Sequence, residues 1–205
     1  MSKIISVSGL IGSGKDTFAD FLVSDCGYRR ESFAGTLKDA VAAIFGWDRE
    51  MLEGKTITAR ANRETVDKWW AERLNMPHLT PRWILQQFGT DVFRQHFHTD
   101  IWVASLERKL MSLKDEKIVI SDARFINELD ILKAAGAKTV WVRRGQLPGW
   151  FETATDPALR WRMPSLYETV HRSEWDWAGY KFDEVIFNDS TLPELFKQVH
   201  YLAWN

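Results

Sequence analysis

Gly9-Leu10-Ile11-Gly12-Ser13-Gly14-Lys15-Asp16-Thr17 decides how this chain is read. Before it stands Lys3–Ser8, a short β-branched run with the pattern of a buried strand, and after it Phe18, Phe21 and Leu22 recur at helical spacing towards Cys26. A strand, a glycine loop and a helix in that order turn a phosphate-loop pattern into a structural expectation. Glycines let successive backbone N–H groups converge on phosphate oxygens, the helix N-terminus adds a favourable dipole, and a lysine at this place reaches the β- and γ-phosphates. Gly12, Ser13, Gly14, Lys15, Asp16 and Thr17 are therefore the expected nucleotide cradle. The strict pattern has a hydroxyl directly after the lysine; here Asp16 takes that place and Thr17 follows. A carboxylate beside a triphosphate is repelled unless a metal ion, its waters or an arginine offsets the charge. Asp16 thus either faces Mg²⁺ or a cation, or is an acidic first-turn residue that stabilises the helix through its dipole.

Outward from this motif the chain alternates buried strands with helices. Tyr28 to Phe33 reads as a second strand, followed by a helix with Leu37, Val41, Ile44 and Phe45 on one face and Gly46 at its end. Residues 47–78 are polar and poorly periodic, an insertion with one helix around Thr65 to Leu74. Thr80-Pro81 is a helix start, with Ile84, Leu85, Phe88, Val92 and Phe93 as the buried stripe beyond it, and another helix runs from Asp100 to Leu113. Lys117–Ser121 is a buried strand, Ile126 to Ala135 a helix stopped by Gly136, and Thr139 to Val142 a further strand. Residues 145–180, rich in Trp, Arg and Pro, read as a lid or surface excursion; Glu184 to Phe187 and Leu192 to Leu202 supply the last strand and helix. This alternation predicts one α/β domain over residues 1–205, a parallel sheet covered by helices on both faces.

The carboxyl ends of such strands are where ligands gather, which singles out Asp122. It holds Mg²⁺ through water, or positions a phosphate-binding side chain, or makes an ordinary strand-end ion pair. Arg124 points into the same crevice with a planar fork suited to bidentate phosphate contact, and Glu128 either orients that guanidinium or lies on a solvated helix face. Arg82, Gln86 and Thr90 recur every four residues. A cation, an amide and a hydroxyl on one stripe suit an anionic ligand as well as they suit water. Trp102 is either a core residue or a platform for a ligand. Arg143, Arg144, Arg160, Arg162 and Arg172 cluster around the expected lid, as phosphate closers or as solvated cations.

Composition bounds the rest. At 205 residues and 45% hydrophobic the chain is long enough for one core. Its 27 basic and 28 acidic side chains leave a net charge of -1, so no global field draws it to nucleic acid or an anionic membrane. A lone cysteine, Cys26, excludes an intramolecular disulfide, and no apolar run approaches the ~18 residues of a spanning helix, which suits a cytosolic protein.

The loop ending Gly14-Lys15-Asp16-Thr17, the block from Thr80-Pro81-Arg82 through Gln86 to Gly89-Thr90-Asp91, the Asp100-Ile101-Trp102 triplet and Ser121-Asp122-Ala123-Arg124-Phe125-Ile126-Asn127-Glu128 together resemble the bacteriophage deoxynucleoside monophosphate kinases. His171-Arg172-Ser173-Glu174 and Ile186-Phe187-Asn188-Asp189 extend the likeness, and Trp83 stands where that family can carry a basic residue. The resemblance implies a P-loop kinase-like fold that moves the γ-phosphoryl group of ATP, with Mg²⁺, onto a deoxynucleoside monophosphate. It implies active-site roles for Asp16, Thr17, Arg82, Gln86, Gly89, Thr90, Trp102, Asp122, Arg124 and Glu128. Arg82 and Arg124 would then act with Lys15 in catalysis, and Asp16, Thr17 and Asp122 would serve the metal. It further implies residues 47–78 as an acceptor-side insertion, a homodimer, and the cytoplasm of the host. Two other readings stay open at this point: a P-loop kinase with an alcohol acceptor, such as one acting on dephospho-coenzyme A, and a nucleotide-driven switch ATPase with no acceptor.

Overall fold

The computed structural model describes residues 3–113 and 115–204. In chain order the elements are β1 (Lys3–Ser8), α1 (Lys15–Cys26), β2 (Arg29–Glu31), α2 (Gly35–Phe45), α3 (Arg49–Glu53), α4 (Ile57–Glu64), α5 (Lys68–Leu74) and α6 (Pro81–Gln86). A π-helix (Gln87–Phe97) continues α6, and α7 (Ile101–Leu110), β3 (Lys117–Ile120), α8 (Ile126–Ala134) and β4 (Lys138–Arg143) follow. The chain closes with α9 (Trp150–Thr155), a 3₁₀ turn (Arg160–Arg162), α10 (Met163–Leu166), α11 (Arg172–Trp175), β5 (Glu184–Phe187) and α12 (Leu192–Trp204). Two compact units result, one formed by the chain up to Ser32 together with Lys109 onward, the other by Phe33–Arg108.

The first unit carries the sheet, all parallel, in the order β2-β3-β1-β4-β5. β1 lies at its centre, with Ile5 opposite Val119 on one side and Lys138 on the other. Its residues from Ile4 to Ser8 are all buried, the near-continuous pattern of a strand covered on both faces. Alternation sorts the faces. Ile5, Val7, Val119, Val140, Val142 and Ile186 pack with Phe18, Ala19 and Leu22 of α1 and with Leu195, Val199 and Leu202 of α12 in one core. α8 contacts β1 and β4 and buries Leu129 and Leu132. Each such large side chain contributes about 1.5–3 kcal/mol on burial, so the central strand and the helix after the glycine loop are the best-anchored parts of the unit.

Residues 145–180 carry a core of their own. Phe151, Ala154, Met163, Trp175 and Trp177 are buried, and Trp141 of β4 stacks on Phe151 and meets Trp177 edge-on. The short helices here explain the absence of any readable period. Arg160 donates to the carbonyls of Ala154 and Ala178, and Arg172 pairs with Asp176, so these two arginines of the expected lid are tied into its scaffold.

In the second unit, the stretch 47–78 forms three helices instead of the single one expected. Each opens on a side-chain cap: Asp48 accepts from the Met51 N–H, Thr56 from Ala59 and Asp67 from Trp70. One or two turns are too few to display a periodic stripe, and the caps were the legible signal. Ile44 and Val92, both expected in buried stripes, are 55% and 43% exposed. For Val92 the reason is the change of helix type. From Gln87 the backbone bonds i to i+5, ending with the His98 N–H on the Phe93 carbonyl at 2.9 Å, and a wider turn rotates side chains off the α-helical stripe.

At the entry to β4, the Asp183 carboxylate accepts from the Thr139 N–H (2.8 Å), the Thr139 hydroxyl (2.7 Å) and Lys133 Nζ (2.9 Å). Burial alone would push its pKa up; the bonds from Thr139 and the Lys133 charge outweigh that and hold it at about 2. A depressed carboxyl stabilises the fold above its unfolded value and loses that contribution as pH falls through the folded one. Asp183→Asn is therefore expected to lower stability at pH 7, with the gap to the wild type closing between about pH 4 and pH 2. Urea unfolding of both proteins across that range measures it.

Candidate active site

The glycine loop turns through left-handed backbone between β1 and α1. Gly12 and Gly14 have φ of 80° and 90°, a region L side chains avoid, and α1 starts directly behind them with the Phe18 N–H on the Gly14 carbonyl at 2.9 Å. A β-carbon at Gly9 would lie 2.5 Å from the Val142 carbonyl oxygen, so the loop can leave β1 this close to β4 only with glycine there. Asn188, after β5, donates from Nδ2 to the Ser13 carbonyl at 2.9 Å, and a β-carbon at Gly14 would overlap this amide. Asn188 was part of the likeness but had no assigned role; in the fold it props the loop from below.

Lys15 Nζ donates to Asp16 Oδ2 at 2.9 Å, with the lysine side chain 12% and the aspartate 64% exposed. The Ser121 hydroxyl lies 3.4 Å from Asp16 Oδ1, which brings the end of β3 to the start of α1. Asp16 thus points an open carboxylate into solvent beside the loop, and its main-chain carbonyl accepts from Arg30 Nη2 at 3.1 Å. Thr17 is exposed on the first turn. Ser8 at the end of β1 donates to the Ala123 carbonyl at 3.2 Å, tying the Asp122–Phe125 loop to the same carboxyl edge of the sheet. Asp122 and Arg124 are both partly exposed on that loop.

Glu128 does not lie on a solvated face. It is 2% exposed, and its carboxylate accepts the N–H groups of Arg124 (2.7 Å) and Phe125 (3.2 Å), capping α8 from the third position. The Arg124 guanidinium is held instead by Glu174. Neither Glu174 nor Ser121 was singled out from sequence; both were visible only inside longer quoted motifs.

Arg82, Gln86, Gly89, Thr90 and Trp102 all belong to the second unit. Arg82 pairs with Glu64 at 2.9 Å, both side chains about half exposed, and Gln86 is exposed. Arg63 of α4 is a neighbour that sequence reading passed over. Its guanidinium donates to the Leu52 and Glu53 carbonyls, its Nε has no partner among the described residues, and burial and then the Arg82 charge push its pKa down. Trp102 is only 6% exposed, donates from Nε1 to the Gly89 carbonyl at 2.8 Å and meets Phe93 edge-on at 5.3 Å. Of the two readings of Trp102, this geometry is that of a core residue that anchors the π-helix. Gly89 is buried, and a β-carbon there would lie 2.9 Å from Leu37 Cδ2.

No group of three or more His, Cys, Asp or Glu side chains gathers as a metal cage among the described residues. Among them, too, no helix is long and apolar enough to cross a membrane.

Comparison with known proteins agrees with this chemistry. The profile of the family "Deoxynucleotide monophosphate kinase" matches residues 50–156. A protein of Acanthamoeba polyphaga mimivirus, provisionally named deoxynucleotide monophosphate kinase, is 29% identical over 96% of this chain and 93% of its own length. The deoxynucleoside-5'-monophosphate kinase of Escherichia phage T5 is 28% identical over 65% of this chain and 72% of its own. The deoxynucleotide monophosphate kinase of Enterobacteria phage T4 is 24% identical over 96% and 97%. The solved dephospho-CoA kinase of Campylobacter jejuni aligns with 99% of this chain and 96% of its own at 14% identity and a TM-score of 0.46, too loosely to bear on fold or reaction. A phosphate loop at the centre of a parallel sheet and a profile match over more than half of the sequence lead to one statement: this chain belongs to the deoxynucleotide monophosphate kinase family.

Proposed function

We propose that this protein transfers the γ-phosphoryl group of ATP to a deoxynucleoside monophosphate, giving a deoxynucleoside diphosphate and ADP. The observation that carries the reading is the glycine loop itself, held at positive φ in front of α1 with Lys15 beside it, in a chain of this family. Gly12, Ser13, Gly14, Lys15, Asp16 and Thr17 take the donor phosphates through backbone N–H groups and the lysine ammonium. The acceptor is already an anionic phosphate oxygen, so no strong base is required and catalysis lies in positioning and in neutralising the transferring group. Lys15 and Arg124 serve that charge, and Arg82 binds the acceptor phosphate, a role supported by its half-exposed guanidinium and by the family resemblance. Gln86, Gly89, Thr90 and Asp122 complete the acceptor side; Glu128 and Trp102 serve it indirectly, through the Arg124 backbone and the Gly89 carbonyl.

Mg²⁺ would be held by Asp16, Thr17 and Asp122. Magnesium on nucleotides uses one or two carboxylates and keeps its waters and phosphate ligands, so an exposed Asp16 carboxylate next to the loop fits it without a protein cage. The metal would draw charge from the β- and γ-phosphates. Segments 47–78 and 145–180 are proposed as acceptor-side insertion and lid of a single kinase domain. We further propose a homodimer working in the host cytoplasm, on the strength of the family resemblance.

Coupled ADP release with each deoxy- and ribonucleoside monophosphate tests the reaction and the sugar together. A higher kcat/KM for at least one deoxynucleotide than for its ribose counterpart is expected; equality across every active pair removes the deoxy preference, and turnover indifferent to all monophosphates removes the kinase. Lys15→Met is expected to cost at least ~100-fold in kcat with an unchanged melting temperature. Trp102→Phe keeps an aromatic ring but removes the indole N–H bond to the Gly89 carbonyl and part of the buried ring, so stability should fall by about 1–3 kcal/mol while the deoxy-to-ribo ratio holds. A changed ratio at wild-type stability would return Trp102 to direct contact with the sugar.

A further inference from the structure

The loop that leaves β3 is fastened by three carboxylates. Glu128, from α8 itself, takes the N–H groups of Arg124 and Phe125. The other two come from the far end of the 145–180 segment: Glu174 of α11 takes Arg124 Nη1, and Asp176, just past that helix, accepts the Ile126 N–H at 3.1 Å. These two contacts differ in kind. Asp176 is 7% exposed, bonds main chain and is itself gripped by Arg172 at 2.9 Å, so it docks the segment onto α8. Glu174 and Arg124 remain 24% and 36% exposed at the side chain, and a half-open ion pair adds little to stability. What such a pair does decide is the direction of the guanidinium. Arginine presents five N–H donors in a rigid fork, and a carboxylate on one nitrogen fixes the plane in which the rest can meet a phosphate.

We propose that Glu174 is a positioning residue for phosphoryl transfer, holding the Arg124 guanidinium in the orientation that engages the transferring group. The inference rests on the reading above, in which Arg124 touches phosphate. It gives the 145–180 segment a part in the reaction through one side chain, separate from the docking role of Asp176. A carboxylate this near a phosphate site repels phosphate unless the arginine stands between them, so the pair works only as a unit.

The test compares Glu174→Gln and Glu174→Asp, each alone and combined with Arg124→Ala, in steady-state kinetics with a deoxynucleoside monophosphate and ATP, alongside ATP titration and thermal melts. For Glu174→Gln we expect a loss of about 10- to 100-fold in kcat/KM for the acceptor, the range that small misplacements of a reacting geometry produce. ATP affinity and melting temperature should hold, Glu174→Asp should recover part of the loss, and neither change should add to Arg124→Ala. Unchanged kinetics in Glu174→Gln, losses additive with Arg124→Ala, or a fall in melting temperature that accounts for the loss would overturn the proposal. So would faster turnover or tighter acceptor binding, which would make Glu174 a competitor for the phosphate place. Wild-type protein that phosphorylates no deoxynucleoside monophosphate would instead overturn the functional reading on which the proposal stands.

Discussion

A left-handed backbone at Gly12 and Gly14, set between the end of a buried parallel strand and the first turn of a helix, is the constraint on which the rest depends. Such a turn has no stability of its own. Its Ser13 N–H turns back onto the Leu10 carbonyl at 3.1 Å, and α1 must start directly behind it with its dipole directed at the loop. The molecule meets this by making β1 the central strand, by burying Phe18, Ala19 and Leu22 of α1 in the main core, and by propping the loop at Ser13 with an amide brought from beyond β5. Ile5 and Val7, Val119, and Val140 and Val142 thereby hold still the edge from which the loop departs.

Charge is arranged within each unit with the same economy. Near-neutral proteins exert no long-range pull on a nucleotide, so attraction must come from a few cations close to the phosphates. Each is accompanied by a carboxylate: Lys15 by Asp16, Arg82 by Glu64, Arg124 by Glu174. Exposed pairs of this type contribute little to stability, about 0–1 kcal/mol. What they do is hold a long, flexible cation in one place.

The second unit solves a different problem, that of keeping an irregular helix in place. A π-helix is a less favourable backbone than an α-helix, and it persists where surrounding contacts over-determine it. The Trp102 indole N–H on the Gly89 carbonyl and the Phe45, Phe88, Phe93 and Trp102 rings in mutual contact supply those restraints. A β-carbon at Gly89 would meet Leu37 Cδ2 at 2.9 Å, so a larger residue there needs that side chain to shift.

Contiguous residues carried what was legible from the start. The phosphate loop, the buried strands, the helix ends at Gly46 and Gly136 and the α/β class all follow from patterns within ten or so neighbouring positions, where backbone preference and apolar period act directly. The same local logic failed where elements were one turn long, at residues 47–78 and 145–180, and where helix type changed at Gln87, because a stripe needs several turns of one period to appear. Pairings were beyond it altogether. Asn188 with Ser13 is a contact across 175 residues, and Glu174 with Arg124 across 50. Glu128, spaced one turn from Arg124, seemed its natural partner, yet that carboxylate is drawn to the unpaired N–H groups at its own helix start and leaves the guanidinium to a residue from another segment. Sequence by itself determined the chemistry present and the local shapes that carry it. Which carboxylate meets which cation was decided only by the tertiary structure, because parallel crossovers bring together the ends of strands that lie far apart along the chain.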